Sequence, residues 1–139
     1  MKEQKTVRVI LSAEIAGKGK AYNAEATESM GRILKGLDGI SYIPTMGVFE
    51  GVQENSFFVK LDSSCDILST YMILDHIIYD IAFKFYEQQA VLLIETDNTC
   101  YMVTPGKKEY IGTWRMKQGI PAENTDCTVF NNSTYGIVL

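Results

Sequence analysis

SCDILSTYMILDHIIYDIAFKFYEQQ, residues 64–89, decides the architecture of this chain. Ser63, Ser64 and Asp66 offer a hydroxyl cap with a carboxylate three residues on, the pattern that opens a helix. A helix running to about Gln89 would hold roughly 25 residues and span ~37 Å. Its apolar side chains are too many for one stripe. Ile67, Tyr71, Leu74, Ile78, Ile81 and Phe85 form one seam, with Leu68, Met72, Tyr79, Ala82 and Tyr86 beside it. Ile73, Ile77 and Phe83 add a third row, leaving Ser69, His76, Asp80, Lys84 and Glu87 as the polar stripe. A small sheet cannot cover so wide an arc, and a second copy of the chain is the economical cover. The expectation is a homo-oligomer with this helix at the interface.

Outward from the helix, the chain alternates as strands do. In TVRVILSAE, Val7, Val9 and Leu11 share one face and Thr6, Arg8 and Ile10 the other. Asn23 is placed to cap a helix over about 24–35, with Ala26, Met30, Ile33, Leu34 and Leu37 on its apolar side and Gly36 as its stop. Residues 40–50 and 55–61 read as two strands around Gly51-Val52-Gln53-Glu54. AVLLIE, the turn at Asp97-Asn98 and CYMVTP make a hairpin, and YIGTWRMK follows the turn at Pro105-Gly106. The polar tail ends in a short strand. The order predicts a single α+β domain over residues 1–139, an antiparallel sheet with two helices, the second of them long.

Composition narrows the function by exclusion. The chain has 139 residues, 46% apolar and 22% charged, which suits a packed domain. Its 3 cysteines, Cys65, Cys100 and Cys127, lack any CxxC spacing, so neither a zinc ribbon nor a disulfide framework is expected, and a reducing cytoplasm is. The oiliest run carries Asp75, His76, Asp80 and Lys84, which excludes a membrane span. The net charge of −4 is uneven. Residues 1–35 hold seven Lys/Arg against four acids, residues 36–103 two against ten, and residues 104–139 four against three. An acidic middle cannot present the broad cationic face that extended nucleic acid requires, whereas a small anion needs only two or three local cations.

No catalytic signature is complete. Gly17-Lys18-Gly19-Lys20 follows a strand as a phosphate loop would, but Ala21 stands where Ser or Thr is needed. His76, the only histidine, lies mid-helix without a nucleophile to serve, and the acids form no metal-ligand spacing. Neither a catalytic set nor a metal or other cofactor is expected. Binding chemistry is better supplied. Arg115 and Lys117 share a strand face opposite Trp114, and Arg suits both phosphate contact and stacking on a base. These residues serve equally as a core Trp and a solvated Arg. The tip Asp97-Asn98-Thr99 is turn-forming by geometry and base-reading by chemistry. The amides and hydroxyls of Asn124, Thr125, Asp126, Thr128, Asn131 and Asn132 could close over a ligand or lie on the surface. Phe83 and Tyr86 could stack a base at a subunit boundary or simply pack there.

The opening VRVILSAEI, the GVFEGVQENSFFVKL hairpin, the helix ending YEQQAVLLIE and the late TWRMK strand together resemble the phage Thoeris anti-defence proteins of the first type, over essentially the whole chain. The resemblance implies a non-enzymatic sponge in the cytoplasm of the infected bacterium. Such a protein binds the glycocyclic ADP-ribose made by TIR-domain enzymes without cleaving it, and dimers assemble to a hexamer. It also implies ligand contacts from Arg115, Asn98, Thr99, Asp126, Thr128, Phe83 and Tyr86, and a separate cyclic-trinucleotide site at Arg32. Two readings compete: a small phosphodiesterase or NAD-hydrolase-like enzyme that degrades the same signal, and a protein–protein inhibitor that presents the long helix.

Overall fold

A computed structural model describes residues 6–49, 52–61, 67–117, 127–130 and 133–138. Its strands are β1 (Arg8–Leu11), β2 (Ile40–Phe49), β3 (Val52–Leu61), β4 (Val91–Ile94), β5 (Thr99–Thr104), β6 (Lys107–Lys117), β7 (Cys127–Phe130) and β8 (Ser133–Val138). They close into an antiparallel barrel in the order β1-β3-β2-β7-β8-β6-β5-β4, with β4 returning to β1. The α+β class expected from the sequence is present, but the sheet has no open edge. Closure removes the unpaired edge groups that an open sheet would present.

β1 is the keystone. It pairs with β3 from Arg8↔Lys60 to Leu11↔Phe57 and with β4 from Arg8↔Ile94 to Ile10↔Leu92. Both of its faces are buried, which is why it reads as a nearly continuous apolar run. The odd residues Val7, Val9, Leu11 and Ala13 join Phe57, Val59, Leu61, Val91, Leu93 and Val103 beneath the helices. The even residue Ile10 faces the lumen, packed with Phe58, Ile94, Cys100 and Trp114 and flanked by Ile43, Leu92 and Ile111. Phe58 and Trp114 stack there at 6.3 Å and 28°. Eight strands enclose a bore that such side chains can fill.

Helix α1 (Lys20–Lys35) buries Met30 and Leu34. It starts four residues before the expected 24, because Gly19, at φ 86°, turns the chain into the helix without a side-chain cap. Asn23 is therefore inside the helix. Its amide accepts from Ile15 N at 2.8 Å and donates to Ile15 O at 3.2 Å, pinning the loop after β1. Gly31 lets the helix approach the sheet: a Cβ there would lie 3.3 Å from Phe57 Cζ.

The decisive segment forms α2 (Ile67–Asp75) and continues directly as a π-helix, α3 (His76–Phe85). It ends at Phe85, short of the expected Gln89, and the expected cap at residues 63–66 lies outside the described residues. Tyr86 N donates to Ile81 O at 3.0 Å, the five-residue closure of a π turn. This wider winding explains the surplus of apolar rows. Ile77, Ile78, Ile81, Ala82 and Tyr86 spread around a helix of 3.6 residues per turn, yet all are buried on one face here. The remainder stays uncovered in the monomer: Leu68 is 71% and Phe85 66% exposed, with Tyr71, Met72 and Tyr79 between them. Truncating Ile77, wholly buried under the helix layer, should leave a cavity. Ile77→Ala is expected to cost about 2–5 kcal/mol in urea unfolding; a loss below ~0.5 kcal/mol would show that the π segment does not anchor the fold.

Candidate functional site at the barrel mouth

β1 stops at Leu11, but β3 continues past it toward Val52. The exposed ladder groups of Asn55 are taken up by side chains instead. Ser12 Oγ donates to Asn55 O at 2.8 Å, and Asn55 N donates to the Glu14 carboxylate. Ser12 Oγ also accepts from Glu14 N at 3.0 Å, and Gln88 Nε2 donates to Glu14 O at 3.0 Å. Glu14 is thereby fixed at the rim of the barrel, tied to both β3 and the segment after α3.

Glu54 stands beside it. Burial and then the neighbouring Glu14 charge push the Glu54 carboxyl above its ordinary value. The β2–β3 register pairs Ile43 with Phe58, Thr45 with Ser56, and Gly47 with Glu54. Paired residues share a face, so the lumen is layered: an apolar floor, two buried hydroxyls, then a carboxyl with no side chain opposite it. Thr45 is 6% exposed and its Oγ1 finds no partner among the described residues. Gly47 also pairs with Thr128 of β7. A half-buried acid and a buried hydroxyl on one lumen face make a setting suited to a cation. Among the described residues, no three of His, Cys, Asp and Glu gather as a metal set. Glu54 was not a candidate in the sequence. Its only signal there is an acid on the inward register of an aromatic strand.

At the opposite end of the lumen, Arg8 Nη2 donates to Glu95 O at 2.9 Å and to Asn98 Oδ1 at 2.6 Å. Asn98, at φ 69°, holds the hairpin tip, and its carbonyl accepts from Trp114 N at 2.8 Å. Cys100 is fully buried below, and burial drives its thiol up to about 11, so it is protonated and unreactive at neutral pH.

The sequence-derived ligand residues are divided by this fold. Asn98, Thr99 and Arg115 come together, since Thr99 pairs with Thr113 and Trp114 bonds Asn98. Trp114 is buried and Arg115 exposed, as alternation on one strand requires. Asn98 Oδ1, however, is occupied by Arg8. Tyr86 is buried in the helix layer, its hydroxyl 2.7 Å from Ser29 Oγ, and Phe83 packs edge-on against Tyr79 at 5.5 Å. The π winding turns Tyr86 inward, so its ring presents no open flat wall, whereas Phe83 is only half-buried. Arg32 is exposed on α1, paired with Glu28 at 3.3 Å. Asp126 lies outside the described residues, as do 124, 125, 131 and 132; Thr128 is described only by its place in β7.

The raised Glu54 carboxyl makes a stability prediction. An acid that holds its proton more tightly folded than unfolded loses stability for the fold as pH rises from its ordinary 4.5 through the raised value. Glu54→Gln should therefore raise the melting temperature near pH 8 and leave it unchanged at pH 4. Thermal melts across that range check it, and a destabilised variant at pH 8 would contradict it.

The model of the S-Adenosylmethionine lyase family matches residues 9–138. No curated protein matches the chain. The family is named for an enzyme, which overturns the expectation of a protein without catalysis. The inference from a missing triad fails for a physical reason. A sulfonium departs as a neutral thioether, so its cleavage requires no placed nucleophile and no acid for the leaving group. From β1 through β8, the chain belongs to the S-adenosylmethionine lyase family.

Proposed function

We propose that the chain cleaves S-adenosylmethionine as a lyase, with a positively charged part of the substrate held at the Glu14–Glu54 mouth. The supporting observation is the carboxylate pair at the rim of a barrel that belongs to this family. The substrate carries a sulfonium and an ammonium against one carboxylate, so it brings net positive charge. Burial and then the Glu14 charge make Glu54 resist ionisation, and a bound cation offsets both. Binding therefore drives a proton off Glu54 and tightens as pH rises through its raised value. The substrate's own carboxylate closes on the carbon that sulfur leaves, so the breaking carbon–sulfur bond sends its electron pair to sulfur, giving a lactone and a neutral thioether and destroying the sulfonium charge. A carboxylate at the ammonium keeps its hold through that step, whereas one at the sulfonium would favour the ground state.

Incubation with S-adenosylmethionine, followed by chromatography, should show substrate loss and a thioether nucleoside product. Glu54→Gln should lower kcat/KM at least tenfold, a loss of about 1.4 kcal/mol in transition-state binding. Unaltered substrate after prolonged incubation with the wild type would overturn the proposal.

A second ligand follows from the Thoeris resemblance. Glycocyclic ADP-ribose would be bound in the host cytoplasm, by dimers assembled to a hexamer, with a cyclic-trinucleotide site at Arg32. Arg115, exposed next to the Asn98 hairpin, supports the first site. The uncovered Leu68, Met72 and Phe85 support self-association. No described helix is long and apolar enough to cross a membrane. Calorimetry with the cyclic nucleotide should show heat of binding that Arg115→Ala abolishes, while size exclusion shows unchanged assembly. Equal affinity in the variant removes Arg115 from that site.

A further inference from the structure

At the end of the lumen opposite the Glu54 mouth, two cations face each other without an ion pair to any described residue. Arg8 of β1 pairs directly with Lys60 of β3 in the barrel register. Directly opposed residues lie on one face with Cβ atoms roughly 5 Å apart, and like charges so placed repel. Among the described residues, neither forms an ion pair. Arg8 spends its Nη2 on two neutral oxygens, Glu95 O and Asn98 Oδ1. The nearby Glu95 carboxylate is directed to Lys108 Nζ at 3.3 Å. Arg8 Nε is buried, with no hydrogen-bond partner among the described residues. Lys60 is exposed, and Ser41 of β2 shares its register position.

A buried, orphaned N–H beside an opposed ammonium is a costly arrangement unless something negative completes it. The guanidinium is already held in place by Asn98, whose main chain is fixed in turn by Trp114 N, so little ordering remains for a ligand to impose. Burial also works against the Arg8 charge, a penalty that an adjacent anion would relieve. The two cations call for about two negative charges, which a phosphate at neutral pH supplies and a carboxylate does not.

We propose that Arg8 Nε and the Lys60 ammonium form a subsite for a phosphoryl group at the end of the barrel opposite Glu54. Six residues of β3 separate the two ends, roughly 20 Å. The two sites therefore bind separate ligands, and the phosphoryl site stands whether or not the chain acts on S-adenosylmethionine. The phosphoryl group comes either from free phosphate or from a nucleotide, with the same contacts.

Isothermal titration of the full chain with inorganic phosphate, ADP and adenosine distinguishes these sources. Lys60→Gln and Lys60→Arg report the subsite, because Lys60 is exposed and takes no part in packing. Saturable binding of phosphate, weakened about tenfold by Lys60→Gln and kept by Lys60→Arg, supports the subsite with phosphate as sufficient ligand. Binding of ADP without phosphate or adenosine, with the same pattern in the variants, supports it with a nucleotide as ligand. Failure of both phosphate-bearing probes to bind overturns the proposal. So does binding that Lys60→Gln leaves unchanged, or ADP binding matched by adenosine.

Discussion

The structure depends on the seating of β1 between β3 and β4. That short strand closes the barrel, and it gives one face to the lumen and the other to the helices. Where its backbone ladder ends, side chains extend it: Ser12 and Glu14 satisfy Asn55, and Gln88 and Asn23 hold the outgoing loop. The same continuation brings a fixed carboxylate to the barrel rim. Structure and candidate chemistry therefore share the same atoms, and the Glu54 carboxyl beside them is placed at some expense of stability. Functional groups tend to carry such a burden when their ligand is absent.

Charge is arranged lengthwise. One end of the bore has Glu14 and Glu54, the other Arg8 and Lys60, and between them lie Ile10, Ile43, Phe58 and Trp114. Low-polarity walls weaken screening, so each end attracts the opposite sign more strongly than an open surface would. This division crosses the order of the chain: Glu14 comes from the more basic start of the sequence and Lys60 from its acidic middle.

The π-helix matters for the same reason. Its winding gathers Ile77, Ile78, Ile81, Ala82 and Tyr86 onto the sheet and turns the Tyr86 ring away from any ligand facing the helix. What it does not gather, Leu68, Met72 and Phe85, remains outside as apolar surface.

Much of the fold was legible in the residues themselves. Alternation fixed β1 and the β4–β5 hairpin, turn chemistry placed the breaks at Asp97-Asn98 and Pro105-Gly106, and apolar density marked the long helical segment, because these signals are local. The expected turn at residues 51–54 lies mostly within β3, and the expected cap Asn23 lies within α1. The inward Trp114 and outward Arg115 follow from strand alternation alone. Tertiary structure decided the rest. Barrel closure rests on pairings between strands distant in sequence, such as β2 with β7 and β1 with β4, which no local pattern encodes. The π winding depends on which face the sheet demands, not on helix propensity. Glu14 and Glu54 become a pair only because β1 and β3 are neighbours, and the raised proton affinity of Glu54 comes first from its burial in the closed barrel and second from that meeting.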